Sequence, residues 1–170
     1  MSNDVIKIRP LDLSDKTTLA SLANNKNIWD NLRDYIPYPY TESDAIFFIN
    51  STKQEEPQQS FGIVFNNNIC GVISLVIQKD VYHKSAEIGY WIGEPYWGKG
   101  IATQAVKLIT EYGFNELTLN RIYAGIFEYN LASIEVLKKN GFEREGIFKK
   151  AIIKNNKVYD EHRFYKLNNY

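Results

Sequence analysis

The sequence predicts an α/β chain built on a mixed, mostly antiparallel twisted sheet flanked by helices, with one parallel strand pair near its middle. Two observations carry this. Residues 61–92 read as three consecutive strands with an Asn66-Asn67-Asn68 turn between the first two, which is a meander. Residues 86–127 then read as strand, turn, helix and strand, and two strands joined through a helix pair in parallel by a right-handed crossover. At 170 residues, one domain spanning 1–170 is expected, large enough to bury a core without staples.

Each element has its own signal. Ile6 and Ile8 alternate ahead of Pro10 as a first strand, and Ser14 is a candidate cap for a short helix carrying Leu19 and Leu22. Ile28, Trp29 and Leu32 can share the face of a second helix over 28–34. That helix must stop before Tyr35-Ile36-Pro37-Tyr38-Pro39-Tyr40, whose prolines favour extended backbone. Thr41 is expected to cap a third helix with Ala45, Ile46, Phe48 and Ile49. Strands follow at 61–65, 69–78 and 86–92. Ile101, Ala105, Leu108, Ile109 and Tyr112 then mark one face of an amphipathic helix, with Gln104, Lys107 and Glu111 opposite. A strand at 121–127 leads to a helix over 131–140, with Asn130 as N-cap and Gly141 at C′. Two last strands, 142–153 and 158–167, flank a Lys154-Asn155-Asn156-Lys157 turn.

Composition narrows the partners. Twenty Lys and Arg balance twenty Asp and Glu, so no overall field favours nucleic acid or an anionic membrane. No apolar run approaches the ~20 residues that cross a bilayer. The start Met1-Ser2-Asn3-Asp4 lacks the parts of a signal peptide, so a cytoplasmic location is expected. The single cysteine, Cys70, excludes an internal disulfide and reads as a small buried residue. With only His83 and His162 available, no metal site is expected.

The chemistry is concentrated in the turn Trp97-Gly98-Lys99-Gly100-Ile101-Ala102. A strand that feeds a glycine turn into a helix aims unpaired N–H groups and the positive end of the helix dipole at one spot, which suits a pyrophosphate. Two common phosphate folds do not fit. A P-loop would place Ser or Thr where Gly100 stands, and Pro95 removes an N–H inside the loop. A dinucleotide fold places its glycine turn after the first strand of a parallel sheet, whereas this turn follows a meander and has Thr103 at the third glycine position.

At these residues the chain resembles the GNAT superfamily of acetyl-CoA-dependent N-acetyltransferases, more closely its RimJ/RimL-like branch. The family's Arg/Gln-x-x-Gly-x-Gly/Ala cradle is matched at Gly100 and Ala102, while Trp97 departs from its first position. Further matches are Ala86-Glu87-Ile88-Gly89-Tyr90-Trp91-Ile92-Gly93, Asn130-Leu131-Ala132-Ser133, Gly141-Phe142, and the proline-tyrosine segment followed by Thr41 and Asp44-Ala45. The resemblance covers almost the whole chain and implies a GNAT fold with the central parallel pair splayed.

It also implies roles. Gly98, Lys99, Gly100, Ile101, Ala102 and Thr103 would hold the acetyl-CoA pyrophosphate, and the backbone of Tyr90, Trp91 and Ile92 would pair with the pantetheine arm as an added strand does. Asn130 would cap its helix and touch the same arm. Gly89 is a candidate bulge that splays the strand, or a place where an aromatic ring packs closely. Glu87, facing away from Ile88 and Tyr90, is the candidate base for the amine, or else a salt-bridged carboxylate. A backbone N–H near Ile92 would stabilise the oxyanion. Relatives carry a proton-donating tyrosine where this chain has Leu137, which leaves Ser133 as the candidate donor to the thiolate, or as a residue bonding its own helix. Trp29, Arg33, Tyr38, Tyr40 and Asp160 are candidates for the acceptor site, with His162 read as structural. The expected activity is acetyl transfer to a primary amine, a protein N-terminal amine first and a small amine next, by a monomer or homodimer. The alternative is a non-catalytic acyl-CoA-binding module of the same fold.

Overall fold

Apolar alternation along the third to fifth strands sets the architecture. In the computed structural model, which describes residues 5–169, the strands are β1 Ile6–Arg9, β2 Ser60–Phe65, β3 Asn68–Ile77, β4 Ser85–Ile92, β5 Arg121–Phe127, β6 Glu143–Lys154 and β7 Lys157–Leu167. They form one seven-stranded sheet in the order β1-β2-β3-β4-β5-β7-β6, antiparallel throughout except for β4 and β5. The helices are α1 Lys16–Ala23, α2 Lys26–Trp29, α3 Glu42–Thr52, α4 Ile101–Asn115 and α5 Leu131–Lys139. The segment Met1 to Asp4, on which the signal-peptide reading rests, lies outside the described residues. Among those described, no helix is long and apolar enough to cross a membrane.

The sheet is covered on both faces. Ala86, Ile88 and Ile92 of β4 turn to one side, where they pack with Ile101, Ala105, Val106 and Ile109 of α4 and Ile134 and Leu137 of α5. Val64, Ile69 and Val72 turn to the other, against Leu19 and Ala20 of α1 and Ala45 and Ile49 of α3, with Trp91 at the margin. Period-two alternation along β4 therefore sends Glu87, Gly89 and Trp91 to the α1/α3 side. Cys70 is an extra residue in β3, between Ile69 and Gly71, which oppose Val64 and Ile63. It is fully buried, and burial pushes its thiol up to about 11, which leaves an inert core residue.

Three local expectations change. The first helix is entered through a 3₁₀ turn, Leu13–Asp15, capped by Asp12 rather than Ser14. Asp12 accepts the Ser14 N–H at 2.9 Å and the Asp15 carboxylate accepts the Asp12 N–H at 2.9 Å, a reciprocal capping box. Asp15 is locked further by Arg9 at 2.7 and 2.8 Å. The second helix is only Lys26–Trp29, capped by Asn25. Past it the backbone tightens to bonds such as Leu32 N to Trp29 O, and side chains take the next carbonyls, Trp29 Nε1 on Ile36 and Lys154 Nζ on Leu32. The proline-tyrosine segment is a run of turns and bends rather than extended chain. Thr41 caps α3 with Asp44 in a capping box, and Asn130 caps α5, as the sequence predicts.

Candidate active site

β4 and β5 pair only over Ser85–Glu87 with Arg121–Tyr123 and then part. Beyond Glu87 the β5-facing edge of β4 has no strand partner, while the rest of β5 runs on against β7. This is the splayed parallel pair. It does not come from a bulge at Gly89, because β3 and β4 keep one register from Gly71 opposite Ile92 to Ile77 opposite Ala86. Nor does a ring pack there, since a Cβ at Gly89 would meet nothing within 4 Å. Gly89 instead leaves the floor of a cavity bare.

That cavity measures about 440 Å³ and passes from the α1/α3 side of β4 through the gap between the strands to the start of α5. Its walls carry Glu87, Gly89, Trp91, Phe48, Asn130 and Ser133 among others. Arg33 and Tyr40 also line it, whereas Trp29, Tyr38 and Asp160 stand outside its walls. Trp29 and Tyr38 stack on each other with ring centroids 5.5 Å apart. Asp160 sits on the β6–β7 hairpin, where hydrogen bonds from Lys149 Nζ and the Lys150 N–H hold its carboxyl below its ordinary range.

Glu87 is ion-paired with Arg33, its side chain 19% exposed and that of Arg33 52%. The second carboxylate in the wall, Asp44, is held below its usual range by the Thr41 hydroxyl at 2.6 Å and the Thr41 N–H at 2.7 Å. At the far end, the Tyr90 hydroxyl lies 2.6 Å from the Ser133 Oγ, and Asn130 Oδ1 accepts the Ser133 N–H at 3.2 Å. Leu137, fully buried in the core, cannot reach a ligand. His162 opposes Ile126 and Ile147 within the sheet, and His83 Nδ1 is 2.8 Å from the Asp80 carbonyl.

The glycine turn has the geometry of an anion cradle. Gly98 and Gly100 both adopt positive φ, 74° and 73°, with open space where a Cβ would stand. Gly100 precedes α4, whose first internal bond runs from Gln104 N to Gly100 O, and no side chain caps it. The N–H groups of Ile101, Ala102 and Thr103 therefore have no intrahelical acceptor. Trp97, where the resembled family has Arg or Gln, donates its Nε1–H to the Ile92 carbonyl at 2.7 Å and ties the turn to the end of β4. Lys99 lies over the rings of Tyr96 and Phe65, 5.5 and 5.7 Å from their centroids.

Sequence reasoning did not find the Tyr90 hydroxyl or Lys154. Lys154, 2% exposed, donates to the Leu32 carbonyl at 2.9 Å and to Asp34 at 2.6 Å and sits 3.3 Å from the centroid of the Trp29 ring. It lies on a strand far from 32–34 in sequence, so only the long-range fold reveals that it clamps the loop bearing Arg33.

Known proteins share this sequence pattern and fold. The profile of the Acetyltransferase (GNAT) domain matches residues 6–143. The chain is 37% identical over 158 residues to the uncharacterized N-acetyltransferase YnaD of Bacillus subtilis (strain 168), covering 92% of this chain and 90% of that one. It is 30% identical over 142 residues to the spermidine N(1)-acetyltransferase of Escherichia coli (strain K12), covering 83% and 74%. The microcin C7 self immunity acetyltransferase MccE, solved in complex with acetyl-CoA and AMP, superposes with a TM-score of 0.82 at 29% identity over 97% of this chain and 93% of that one.

Proposed function

The chain belongs to the GNAT family of acetyl-CoA-dependent N-acetyltransferases, and from that premise we propose that it works as one catalytic domain, transferring the acetyl group to a primary amine by direct attack. The observation that carries this reading is the continuity of the cavity. It runs from Glu87, where an amine meets a carboxylate, through the gap between β4 and β5 to Ser133.

The residues fit acetyl-CoA. The open N–H groups of the glycine turn and the first turn of α4, over residues 98–103, would take the pyrophosphate. The free edge of β4 at Tyr90, Trp91 and Ile92 would meet the pantetheine amides as an added strand, with Asn130 at the side of the arm. Bound there, acetyl-CoA supplies a thioester whose thiolate, near the cysteine value of ~8.5, leaves readily. Glu87 takes the amine's proton, directly or through a water. A backbone N–H near Ile92 faces the developing negative oxygen. The N–C bond forms first, and as the tetrahedral adduct collapses and the C–S bond breaks, Ser133 passes a proton to the departing thiolate and regains one from water.

Two acceptor types suit a cavity of this size. The RimJ/RimL-like resemblance, carried by the Asn130 to Ser133 helix start and the proline-tyrosine segment, favours the α-amine of a protein N terminus. The spermidine acetyltransferase relative favours a small amine. A thiol-release assay with acetyl-CoA over a library of peptides and small amines tests the reading, and silence across the library would leave only an acyl-CoA-binding module. Calorimetry tests the cradle: Gly100→Glu should abolish CoA binding, and unchanged affinity would mean that the glycine turn is not the cofactor site.

A further inference from the structure

Glu87 cannot serve an amine while its carboxylate is held by Arg33, so the acceptor must either displace that arginine or give it a new partner. Displacement alone would leave the half-exposed guanidinium to water, whereas an acceptor with its own negative group keeps it paired at the cavity wall. Arg33 is the only cationic side chain lining the cavity among the described residues. Its place is not casual. Lys154 grips the residues on either side of it, through the Leu32 carbonyl and the Asp34 carboxylate, and Trp29 holds the Ile36 carbonyl at 2.8 Å. The loop is thus fixed on both flanks of Arg33, and the guanidinium is delivered to Glu87 by design of the fold.

An ion pair set across a binding site is a template for a ligand that carries the same two charges in reverse. We infer that the acceptor is a small primary amine with a carboxylate on the carbon bearing the amine, and an apolar side chain. This rests on the reading of the Glu87 cavity as the acceptor site. The amine replaces the guanidinium at Glu87, and the carboxylate replaces Glu87 at Arg33 in the two-pronged geometry that guanidinium groups favour. Because Arg33 and Glu87 are in direct contact, the two charges of the ligand must also be adjacent, which an α-amino carboxylate satisfies. Phe47, Phe48, Trp91 and Val72 offer the side chain an apolar wall. A polyamine fits poorly: it would set a second cationic group near Arg33, and the other wall carboxylate, Asp44, is committed to the α3 cap.

The test is a thiol-release assay with acetyl-CoA on matched acceptors: phenylalanine and leucine, the amides of both, phenethylamine and isopentylamine, and spermidine. The amides imitate a peptide N terminus, and their α-amine, with a pKa of ~8, is more often neutral at pH 7.5. A preference for the free carboxylates therefore cannot come from amine basicity. The expected result is a kcat/KM for the amino acids about tenfold or more above that of their amides and of the bare amines. Arg33→Met should bring that ratio close to one, with Arg33→Lys intermediate. Equal rates, faster amides, or spermidine as the best acceptor would overturn the inference while leaving amine acetylation standing. Silence with every acceptor would instead overturn the acetyl-transfer reading, and this inference with it.

Discussion

The hydroxyl of Tyr90 lies 2.6 Å from the Oγ of Ser133, joining the open stretch of β4 to the first turn of α5 across the gap where the strands separate. Burial pushes the Tyr90 phenol up to about 12, so at working pH it keeps its proton, and it lies within hydrogen-bond distance of both the Ser133 Oγ and, at 3.3 Å, the Ser133 carbonyl. The contact fixes the serine side chain at the wall of the cavity that both residues line.

That arrangement makes Tyr90 a positioning residue for Ser133. Ser133→Ala should lower kcat about tenfold with little change in KM for acetyl-CoA, less than general acid–base catalysis usually contributes because the thiolate is already a good leaving group. Tyr90→Phe should give a smaller loss in the same parameter. Steady-state kinetics checks both, and the double variant should cost no more than Ser133→Ala alone if the tyrosine acts through the serine.

Glu87→Gln keeps the size of the side chain and removes the base. Turnover should fall most at neutral pH and recover as the pH approaches the pKa of the free amine, near ~8 for an α-amine or ~10.4 for a lysine-like one. A pH–rate profile of unchanged shape would mean that Glu87 serves only as the partner of Arg33.

Gly89 is bare because the cavity needs its space, not because the backbone bends there. Its φ lies outside the left-handed region and a Cβ would meet nothing within 4 Å, so Gly89→Leu should fold with an unchanged melting temperature. The added side chain fills the cavity floor beside Trp91. KM for the acceptor should rise at least tenfold while CoA affinity holds, as read by kinetics and calorimetry.

Lys154→Met leaves the Leu32 carbonyl and Asp34 without their buried donor and removes the cation from the Trp29 ring. A loss of about 1–3 kcal/mol in stability is expected by chemical denaturation. Acceptor KM should rise alongside, because the loop that presents Arg33 loses its grip. Lys154→Arg cannot repeat the fit of a single ammonium between a carbonyl, a carboxylate and a ring, and should recover only part of either loss.

Much of the scaffold was legible because its signals are local. The glycine turn, the Thr41 and Asn130 caps and the strand at Arg121–Phe127 each depend on residues within a few positions of one another, and the structure has them where the sequence puts them. The errors fall where a side chain, near or far along the chain, takes a backbone group. The second helix ends early because Trp29 and Lys154 supply bonds that a helix would otherwise make internally. Ser14 lost its cap because Asp12 and Asp15, three residues apart, complete a stronger reciprocal pair that Arg9 reinforces.

The candidate site divides the same way. Glu87 could be named from strand phase and Ser133 from the family resemblance, but that the Glu87 carboxylate is held by Arg33, and Ser133 by Tyr90, depends on contacts spanning 54 and 43 residues of chain. The sequence by itself determined the glycine turn and the face on which each strand residue lies, because those follow from short-range periodicity and backbone freedom, and it carried the motifs by which the chain resembles its family. Only the tertiary structure decided which charged groups meet at the wall of the cavity. There the charges meet through loops whose paths are set by a lysine on the far hairpin, and no local pattern encodes which carboxylate a guanidinium will reach.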